Sequence, residues 1–337
     1  RGRGDRHLAT EPARRMITPF TRHAGVEVPL ICGPMYPCSN PELVAAVSAA
    51  GALGVVQPIS LTYVHGRDFR EGLREIRGLT DRPIGMNALI EQSSDTYRQR
   101  MERWIEISLE EGIRFFITSL GNPRWVVDRV RPLGGVVYHD VTEAKWAAKA
   151  RDGGVDGLIA VNATAGGHAG NRLAEALLDE LRPFGLPVVA AGGVGNPAGF
   201  RAMLDLGYAG VQCGTRFIAT TECTASEPYK AAILKAGADD IVLSERITGV
   251  PVAVINTPYI QRMGLKAGPI ARRMLRGGRT KHWMRSIYAL KALWQLKRSS
   301  FDESGSRDYW QAGRSAGAID EVLPVADVVR QFRSALS

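Results

Sequence analysis

Long apolar segments are absent from this 337-residue chain. No uninterrupted apolar run reaches the length of about 18 residues that a membrane-spanning helix requires, so we expect no transmembrane segment. The basic residues at the N-terminus are not followed by the apolar core of a signal peptide. Together these absences predict a cytoplasmic protein.

Cysteine is also scarce, with four residues in the whole chain. Cys32, Cys38, Cys213 and Cys223 form no C-x-x-C pair and no spacing typical of a metal site. This distribution excludes a disulfide-built scaffold, favours a reducing compartment and predicts no bound metal.

Acidic residues are missing from one long stretch. Residues 262–298 contain eleven Lys and Arg and no Asp or Glu. The net charge of this stretch is therefore +11, and residues 1–15 carry a further +3. Since the net charge of the whole chain is +9, all other residues together carry −5. Because the positive charge is confined to two segments, the composition does not predict a nucleic-acid-binding protein.

Eight short apolar segments are present, and they alternate with helix-like segments. They are rich in Val and Ile and continuous in their apolar character, which is typical of parallel strands buried on both faces. Apolar residues make up 45% of the chain, enough for a large core. The predicted strands lie at 29–34, 53–58, 83–89, 115–120, 135–139, 157–162, 187–193 and 210–217.

Amphipathic segments separate these strands. In the first, Asn40 is a predicted N-cap, Pro41 and Glu42 suit the first turn, and Gly51 is predicted to end the helix. Eight strands, most of them followed by a helix, predict an α/β fold, a (β/α)8 TIM barrel rather than an open sheet. Further helices are predicted at 95–112, 123–131, 142–153, 172–183 and 197–207.

The strand–helix alternation stops after residue 222. We expect a helical insertion after the eighth strand, lying over the C-terminal face of the barrel as a lid. Within it we predict a helix at 227–237, an irregular or short-strand stretch at 241–260 and a basic, mostly helical region at 270–298. The predicted division is a basic N-terminal extension (1–19), the barrel (20–223), a basic and mainly helical lid (224–307) and a C-terminal segment that returns to the barrel (308–337).

The basic part of the insertion contains an apolar helix face formed by Trp283, Ile287, Leu290 and Trp294. One interpretation is that this face packs on the barrel while the cations remain solvated. The other is that the cations attract an acidic partner, such as a pyridine dinucleotide, an acyl-CoA, an acyl carrier protein or an anionic membrane surface. The sequence leaves both open.

A histidine lies in a glycine-rich turn at the end of the sixth predicted strand, within LIAVNATAGGHAG (158–170). Enzymes built on α/β barrels keep their chemistry at such strand ends. Glycines at 166, 167 and 170 allow the backbone to approach a ligand closely. His168 is therefore a candidate catalytic residue, the alternative being a structural histidine of the turn.

Two later turns of similar composition follow the seventh and eighth predicted strands, at 190–197 and 211–217. In barrels these two loops commonly bind a phosphate through backbone N–H groups. The alternative is that their glycines only close the turns. The candidate phosphate-binding residues are Gly192, Gly193, Gly195, Gly214 and Thr215.

Five motifs occur in a fixed order along the predicted barrel: GPM (33–35), PIGMN (83–87), TAGGHAG (164–170), AAGGV (190–194) and VQCGTRFIAT (211–220). Together they resemble the nitronate monooxygenase family, formerly called 2-nitropropane dioxygenases, which includes flavin-dependent enoyl-acyl-carrier-protein reductases and NADH:quinone reductases. The resemblance covers about residues 20–260, and residues 312–325 resemble the family's C-terminal return. It implies a TIM barrel that binds FMN non-covalently.

The resemblance also implies a role for individual residues. His168 matches the family's active-site histidine, placed over the flavin to accept a substrate proton or polarise a substrate oxygen. Met35 would pack near the flavin ring, Asn87 would bond the ring or the ribityl chain, and Gly166 would contact the ribityl-phosphate region. The remaining implied cofactor contacts are Asn162, Gly167, Gly192, Gly193, Gln212, Cys213, Gly214 and Thr215.

Two positions depart from the family pattern. Val161 stands where the family usually has Gln, Asp or Glu, and the fifth strand ends in His139-Asp140 where some members carry a Lys after the histidine. These differences bear on the reaction rather than on flavin binding. For His139, a structural role and a functional role are both open.

Several candidate residues also have a structural interpretation. Asn87 either caps a turn or contacts a ligand, and we favour the ligand because a buried amide needs a partner. Cys213 is interpreted as a packing residue rather than a nucleophile, and Cys32 as core. Tyr36 and Tyr63 are candidates for lining the substrate pocket, and a position outside it is equally open.

Three functions are left open. We expect nitronate monooxygenase chemistry, in which an alkyl nitronate is oxidised with oxygen to a carbonyl compound and nitrite. The second is NAD(P)H-dependent reduction of a quinone or an enoyl thioester on the same scaffold. The third is a barrel that binds a phosphate-bearing ligand without redox chemistry, although residues 163–165 lack the cysteine that IMP dehydrogenases need. The oligomeric state is not predicted.

Overall fold

Eight parallel strands close into a barrel, which confirms the predicted (β/α)8 fold. The computed structural model describes residues 16–91, 95–246, 249–266, 294–304 and 308–336. The first strand pairs with both the second and the eighth, and Ile31 lies opposite Leu53 on one side and Gln212 on the other. The strands are β1 (Leu30–Cys32), β2 (Leu53–Val56), β3 (Ile84–Leu89), β4 (Phe115–Ser119), β5 (Val136–Val141), β6 (Gly157–Val161), β7 (Val188–Ala191) and β8 (Gly210–Cys213).

Helices precede and separate these strands, as the amphipathic segments predicted. Asn40 occupies the N-cap position before Pro41, but its side chain does not cap the helix. Its amide instead donates to the Glu42 carboxylate and to the Glu222 carbonyl, which ties this helix to the segment after β8. The barrel helices are α1 (Pro19–Ala24), α2 (Pro41–Ala49), α3 (Phe69–Leu79), α4 (Asp95–Glu110), α5 (Arg124–Val130), α6 (Ala144–Asp152), α7 (Ala174–Leu181), α8 (Pro197–Leu206) and α9 (Thr215–Ile218).

Helix α1 seals the N-terminal end of the barrel. A capping box between Thr18 and Thr21 begins this helix. Phe20 is fully buried, and its ring lies 5.7 Å from that of Phe115 inside the barrel. Gly210 allows this packing, since a Cβ there would lie 2.9 Å from the Phe20 ring. With this end closed, the barrel is open only at the carboxyl ends of its strands.

In the residues described after β8, helices accompany a small sheet, which lies within the stretch 241–260 expected to be irregular or short strands. Strands β9 (Ile241–Ser244) and β10 (Val252–Ile255) form an antiparallel pair. The C-terminal helix returns to the barrel, where Phe332 packs on Phe200 of α8 at 5.2 Å. The helices of this part are α10 (Glu227–Lys235), α11 (Pro258–Met263), α12 (294–300) and α13 (Val325–Ser334).

Some predictions fall on residues outside the described part of the chain. These are the N-terminal residues 1–15 and most of the basic helical segment, including Trp283, Ile287 and Leu290. Trp294 is described and is 58% exposed, with the Arg298 guanidinium 5.4 Å from its ring centre. Among the described helices, none combines the length and apolar character needed to cross a membrane.

Truncating Phe332 should destabilise the barrel, because this ring is 1% exposed and packs between α13 and α8. We expect Phe332→Ala to lower the free energy of unfolding by about 3–5 kcal/mol. The neighbouring exposed variant Gln331→Ala should change it by less than about 0.5 kcal/mol. Urea unfolding of both variants measures the difference, and equal midpoints would contradict this account of the C-terminal return.

Candidate functional site

The amide of Asn162 joins the loops that follow β6 and β7. Its oxygen accepts from the backbone N–H and the hydroxyl of Thr164, at 2.8 and 2.6 Å. Its nitrogen donates to the carbonyl of Gly192 at 3.1 Å. Since Asn162 is fully buried and its amide is used in these bonds, it positions the two loops.

Glycines let these loops and the C-terminal segment approach one another closely. Gly192 has a φ of +116°, and a Cβ there would lie 2.4 Å from the Asn162 side-chain oxygen. A Cβ on Gly166 would lie 2.9 Å from the backbone nitrogen of Gly313. A Cβ on Gly195 would lie 2.4 Å from the carbonyl of Ser315. Only glycine fits at these three positions, because a Cβ atom would clash with the neighbouring loop.

The loops after β7 and β8 meet and carry backbone N–H groups without acceptors. The thiol of Cys213 donates to the carbonyl of Val194 at 3.4 Å and so brings the two loops together. Within the described residues, the N–H groups of Gly193, Val194, Gly214 and Thr215 have no acceptor. Free backbone N–H groups on neighbouring loops can form a cradle for an anion. The phosphate site expected at these turns stays a prediction.

The C-terminal segment completes this cradle, which sequence reasoning missed. The N–H of Gly313 donates to the Thr215 hydroxyl at 3.0 Å. The next N–H, of Arg314, donates to the carbonyl of Thr164 at 3.0 Å. The motif in residues 312–325 was the available signal, but it gave no role to Gly313.

His168 lies at the edge of the mouth, on a loop held by the insertion. The N–H of Ala253 in β10 donates to the carbonyl of Gly167 at 2.8 Å. His168 is exposed, and no described residue hydrogen-bonds its ring. Nearby protein atoms partly desolvate the ring, which lowers its pKa below the usual 6.5. The imidazole is therefore neutral at neutral pH and able to accept a proton.

The insertion thus contacts the candidate site through β10. Tyr36 packs against Val252, Ile260 and their neighbours in a cluster beneath this small sheet. Burial raises the pKa of Tyr36 to about 12, so its hydroxyl is protonated at neutral pH. Tyr63 is 52% exposed, and the Arg100 guanidinium lies 5.5 Å from its ring centre. A lid that opens and closes over the mouth stays a prediction.

Three predicted cofactor contacts lie at the barrel opening. The sulfur of Met35 lies 3.4 Å from the position that a Cβ atom of Gly214 would occupy. Asn87 is 6% exposed and donates weakly to the carbonyl of Ile117, at 3.4 Å. Gln212 lies across Gly33, and its buried side-chain oxygen has no hydrogen-bond partner among the described residues. These polar atoms are available to a ligand.

His139 and Asp140, neighbours in β5, have opposite orientations. His139 faces the helices, where its Nδ1 is 2.8 Å from the Thr118 hydroxyl, and burial lowers its pKa to about 4. Asp140 follows Val136 and Tyr138 on the inner face of β5. Burial raises the pKa of this carboxyl from 3.8 to about 7, and its Oδ1 has no partner among the described residues. Of this pair, Asp140 is therefore the residue that faces the site.

The cysteines agree with their structural interpretation. Cys32 and Cys213 are buried and free. Burial raises the pKa of Cys213 to about 12 and that of Cys32 well above its usual range. A thiol in this state is a poor nucleophile, so Cys213 contributes its backbone and its packing. In the described part of the chain, no group of three or more His, Cys, Asp or Glu could hold a metal.

Comparisons with known proteins agree with this geometry. The family model described as nitronate monooxygenase matches residues 18–334. A Mycobacterium tuberculosis protein named (3aS,4S,5R,7aS)-5-hydroxy-7a-methyl-1-oxo-octahydro-1H-indene-4-carboxyl-CoA dehydrogenase is 28% identical, over 94% of this chain and 95% of its own. A nitronate monooxygenase from Pseudomonas aeruginosa is 32% identical, over 65% of this chain and 74% of its own. The structure of FabK from Thermotoga maritima is similar with a TM-score of 0.77 and 26% identity, covering 95% of this chain and 96% of that one.

Replacing Asp140 by Asn should change how the stability of the ligand-free protein depends on pH. Between about pH 4 and 7 the folded chain holds a proton on this carboxyl that the unfolded chain has released. As the pH rises through this range, the free energy of unfolding of the wild type should therefore fall relative to that of Asp140→Asn, by up to about 4 kcal/mol. Above about pH 7 the difference between the two proteins should stay constant. Urea unfolding of both proteins at several pH values measures this, and a pH-independent difference would mean that the buried carboxyl is ionised.

Proposed function

The chain belongs to the nitronate monooxygenase family, and from this premise we propose that it is an FMN-dependent oxidoreductase acting at the mouth of its barrel. The observation that carries the proposal is the set of unpaired N–H groups after β7 and β8, which lies beside the loop of a neutral histidine. The relatives described above are themselves named as oxidoreductases.

The described residues have the hydrogen-bonding capacity to hold FMN. The N–H groups of Gly193, Val194, Gly214 and Thr215 suit a phosphate, because each can donate to a phosphate oxygen without losing a bond in the fold. At the barrel axis, Met35, Asn87 and Gln212 offer a polarisable sulfur and two amides to a ring. Cys213 and Asn162 would act by holding the loops, not by touching the cofactor. When bound, FMN supplies the two-electron redox chemistry.

For the substrate we favour a coenzyme A thioester. The Mycobacterium tuberculosis relative, matched over nearly its whole length, is named as a dehydrogenase of a carboxyl-CoA. The net positive charge of residues 262–298 suits the phosphates of such a substrate. Oxidation of a nitronate is the second candidate, supported by the family model and by the Pseudomonas aeruginosa relative.

His168 would serve either substrate in a similar way. A carbon beside a thioester carbonyl and a carbon beside a nitro group both lose a proton more readily than an ordinary C–H. A neutral imidazole with no hydrogen-bond partner among the described residues can take that proton or, through its N–H, orient the oxygen of a nitro group. The exposed position of His168 leaves it accessible to a molecule entering the mouth.

Anaerobic stopped-flow absorbance near 450 nm distinguishes these substrates. FMN-loaded protein would be mixed with a panel of acyl-CoA thioesters, with propionate 3-nitronate, and with NADH or NADPH. Bleaching by an acyl-CoA supports the first candidate, and bleaching by the nitronate alone replaces it with the second. Rapid bleaching by NAD(P)H, followed by recovery with a quinone or an enoyl thioester, would replace both with a reductase. A protein that takes up no FMN would overturn the proposal and favour a barrel without redox chemistry.

Replacing His168 by Ala should lower kcat by about 100-fold or more while the FMN content stays normal. In the wild type, kcat/KM should fall on acidification through a pKa below 6.5, because protonation removes the base, and should be level above it. His23→Ala is the matched control, since this histidine lies at the sealed end of the barrel, where it contacts Tyr138. Turnover that survives in His168→Ala would make this residue structural.

Replacing Gly214 by Val should weaken FMN binding without unfolding the protein. The φ of Gly214 is −111°, and a Cβ there would meet only the Met35 side chain, at 3.4 Å or more. The added side chain would occupy the cofactor's space, at a cost of about 1–3 kcal/mol, or roughly a 5- to 150-fold loss of affinity. Gly78→Val is the control, because that exposed glycine of α3 has no atom within 4 Å of its Cβ position. Fluorescence titration with FMN compares the two, and equal affinities would place the phosphate elsewhere.

A further inference from the structure

Three polar side chains meet at the axis of the barrel, just below its mouth. In a TIM barrel the inward residues of alternate strands form layers of four. The pairing of successive strands places Gly33, Asn87, Asp140 and Ala191 in one such layer. Because two of these four are small, Gln212 can lie across Gly33 from the layer below. We refer to Asn87, Asp140 and Gln212 as the polar floor.

The polar floor has buried side-chain oxygens that lack hydrogen-bond partners. Neither Oδ1 of Asp140 nor the side-chain oxygen of Gln212 has a hydrogen-bond partner within the described residues, although both atoms are shielded from solvent. Leaving such an atom unpaired costs about 1–3 kcal/mol. Both residues retain some accessible surface, so they border the open mouth and are not sealed inside the core. The missing partners can therefore come from a ligand.

The surroundings of Asp140 favour the uncharged form of its carboxyl. Neighbouring β4 contributes Ile117 and Ser119, and β6 contributes Ile159 and Val161, none of which carries charge. Across the axis lie two amides of the polar floor. The nearest titratable groups are Tyr138 and His139, next to Asp140 in the chain, and His168 at the mouth. His139 faces outward, and none of the three is charged at neutral pH.

We propose that Asp140 touches the ring of the bound FMN as a neutral carboxylic acid and donates its proton to an acceptor atom of that ring. This inference rests on the proposed FMN site and assigns a role to a residue that the sequence motifs leave unassigned. Gln212, across the axis, offers an acceptor, so the polar floor presents both a donor and an acceptor to a ring bound above it. That pairing complements the alternating carbonyl and N–H groups of a flavin ring.

Binding of FMN should then be linked to the proton on Asp140. Above the pKa of about 7 in the ligand-free protein, binding must restore a proton, and affinity should fall up to tenfold for each further pH unit. In Asp140→Asn a neutral donor is present at every pH, so this dependence should disappear. Titration of the FMN phosphate is common to both proteins and cancels in their ratio of dissociation constants.

The test is a fluorescence titration of the cofactor-free wild type, Asp140→Asn and Asp140→Ala with FMN between about pH 6 and 9. We expect the ratio of the wild-type to the Asp140→Asn dissociation constant to rise with pH, and Asp140→Ala to bind more weakly than Asp140→Asn throughout. His139→Gln, on the outer face of the same strand, is the control and should follow the wild type. Circular dichroism establishes that each variant is folded, and the Asn variant alone decides the result if the Ala variant is not.

A ratio that is constant over this pH range would overturn the role of Asp140 while leaving the FMN site intact, since the wild type would still bind. Failure of the wild type to bind FMN at any pH would instead overturn the proposed function, and the role of Asp140 with it. A ratio of the wild-type to the Asp140→Asn dissociation constant that falls as the pH rises would show an ionised carboxylate in contact with the cofactor, which also contradicts the inference.

Discussion

The hydrogen bonds of the buried Asn162 amide fix the arrangement on which the candidate site depends. They join the loop after β6 to the loop after β7, and they hold Gly192 in a backbone conformation that favours glycine. With these two loops fixed, the thiol of Cys213 draws in the loop after β8. The N–H groups left over from this packing are the ones that can hold an anion. The amide is therefore a positioning group, and its effect on a ligand is exerted through the backbone.

The barrel explains why the open end holds all of these elements. Parallel strands point their carboxyl ends the same way, and Phe20 fills the opposite end. The loops after the strands can then vary without disturbing the core. The chain beyond β8 contacts one of them at Gly167 and returns through Gly313 to the anion cradle. A part of the chain far from the loops in sequence thus supplies one wall of the site.

The sequence predicted the eight strands and their order because strands buried on both faces leave a continuous apolar signal. It also located the glycine-rich turns after β6, β7 and β8, whereas the catalytic role of His168 stays a prediction. It could not tell which of His139 and Asp140 faces inward, because that depends on the register of β5 against its neighbours. Gly313 was missed for a related reason, since its partners lie about 100 to 150 positions away. Asn40 had the right residue type for a cap, but its side-chain oxygen accepts from the N–H of Thr224 rather than from the first turn of α2.

Desolvation acts in opposite directions on the two titratable groups that face the mouth. It lowers the pKa of His168 and raises that of Asp140 to about 7, since in each case it disfavours the charged form. Near neutral pH the base is unprotonated, and below about pH 7 the acid is protonated, so neither brings a charge to the centre of the site. The partial positive charge of the free N–H groups lies to one side, after β7 and β8. A ligand with a charge at one end and an uncharged ring at the other matches this distribution. The proton acceptor, His168, and the proton donor, Asp140, then lie on different walls of the same opening.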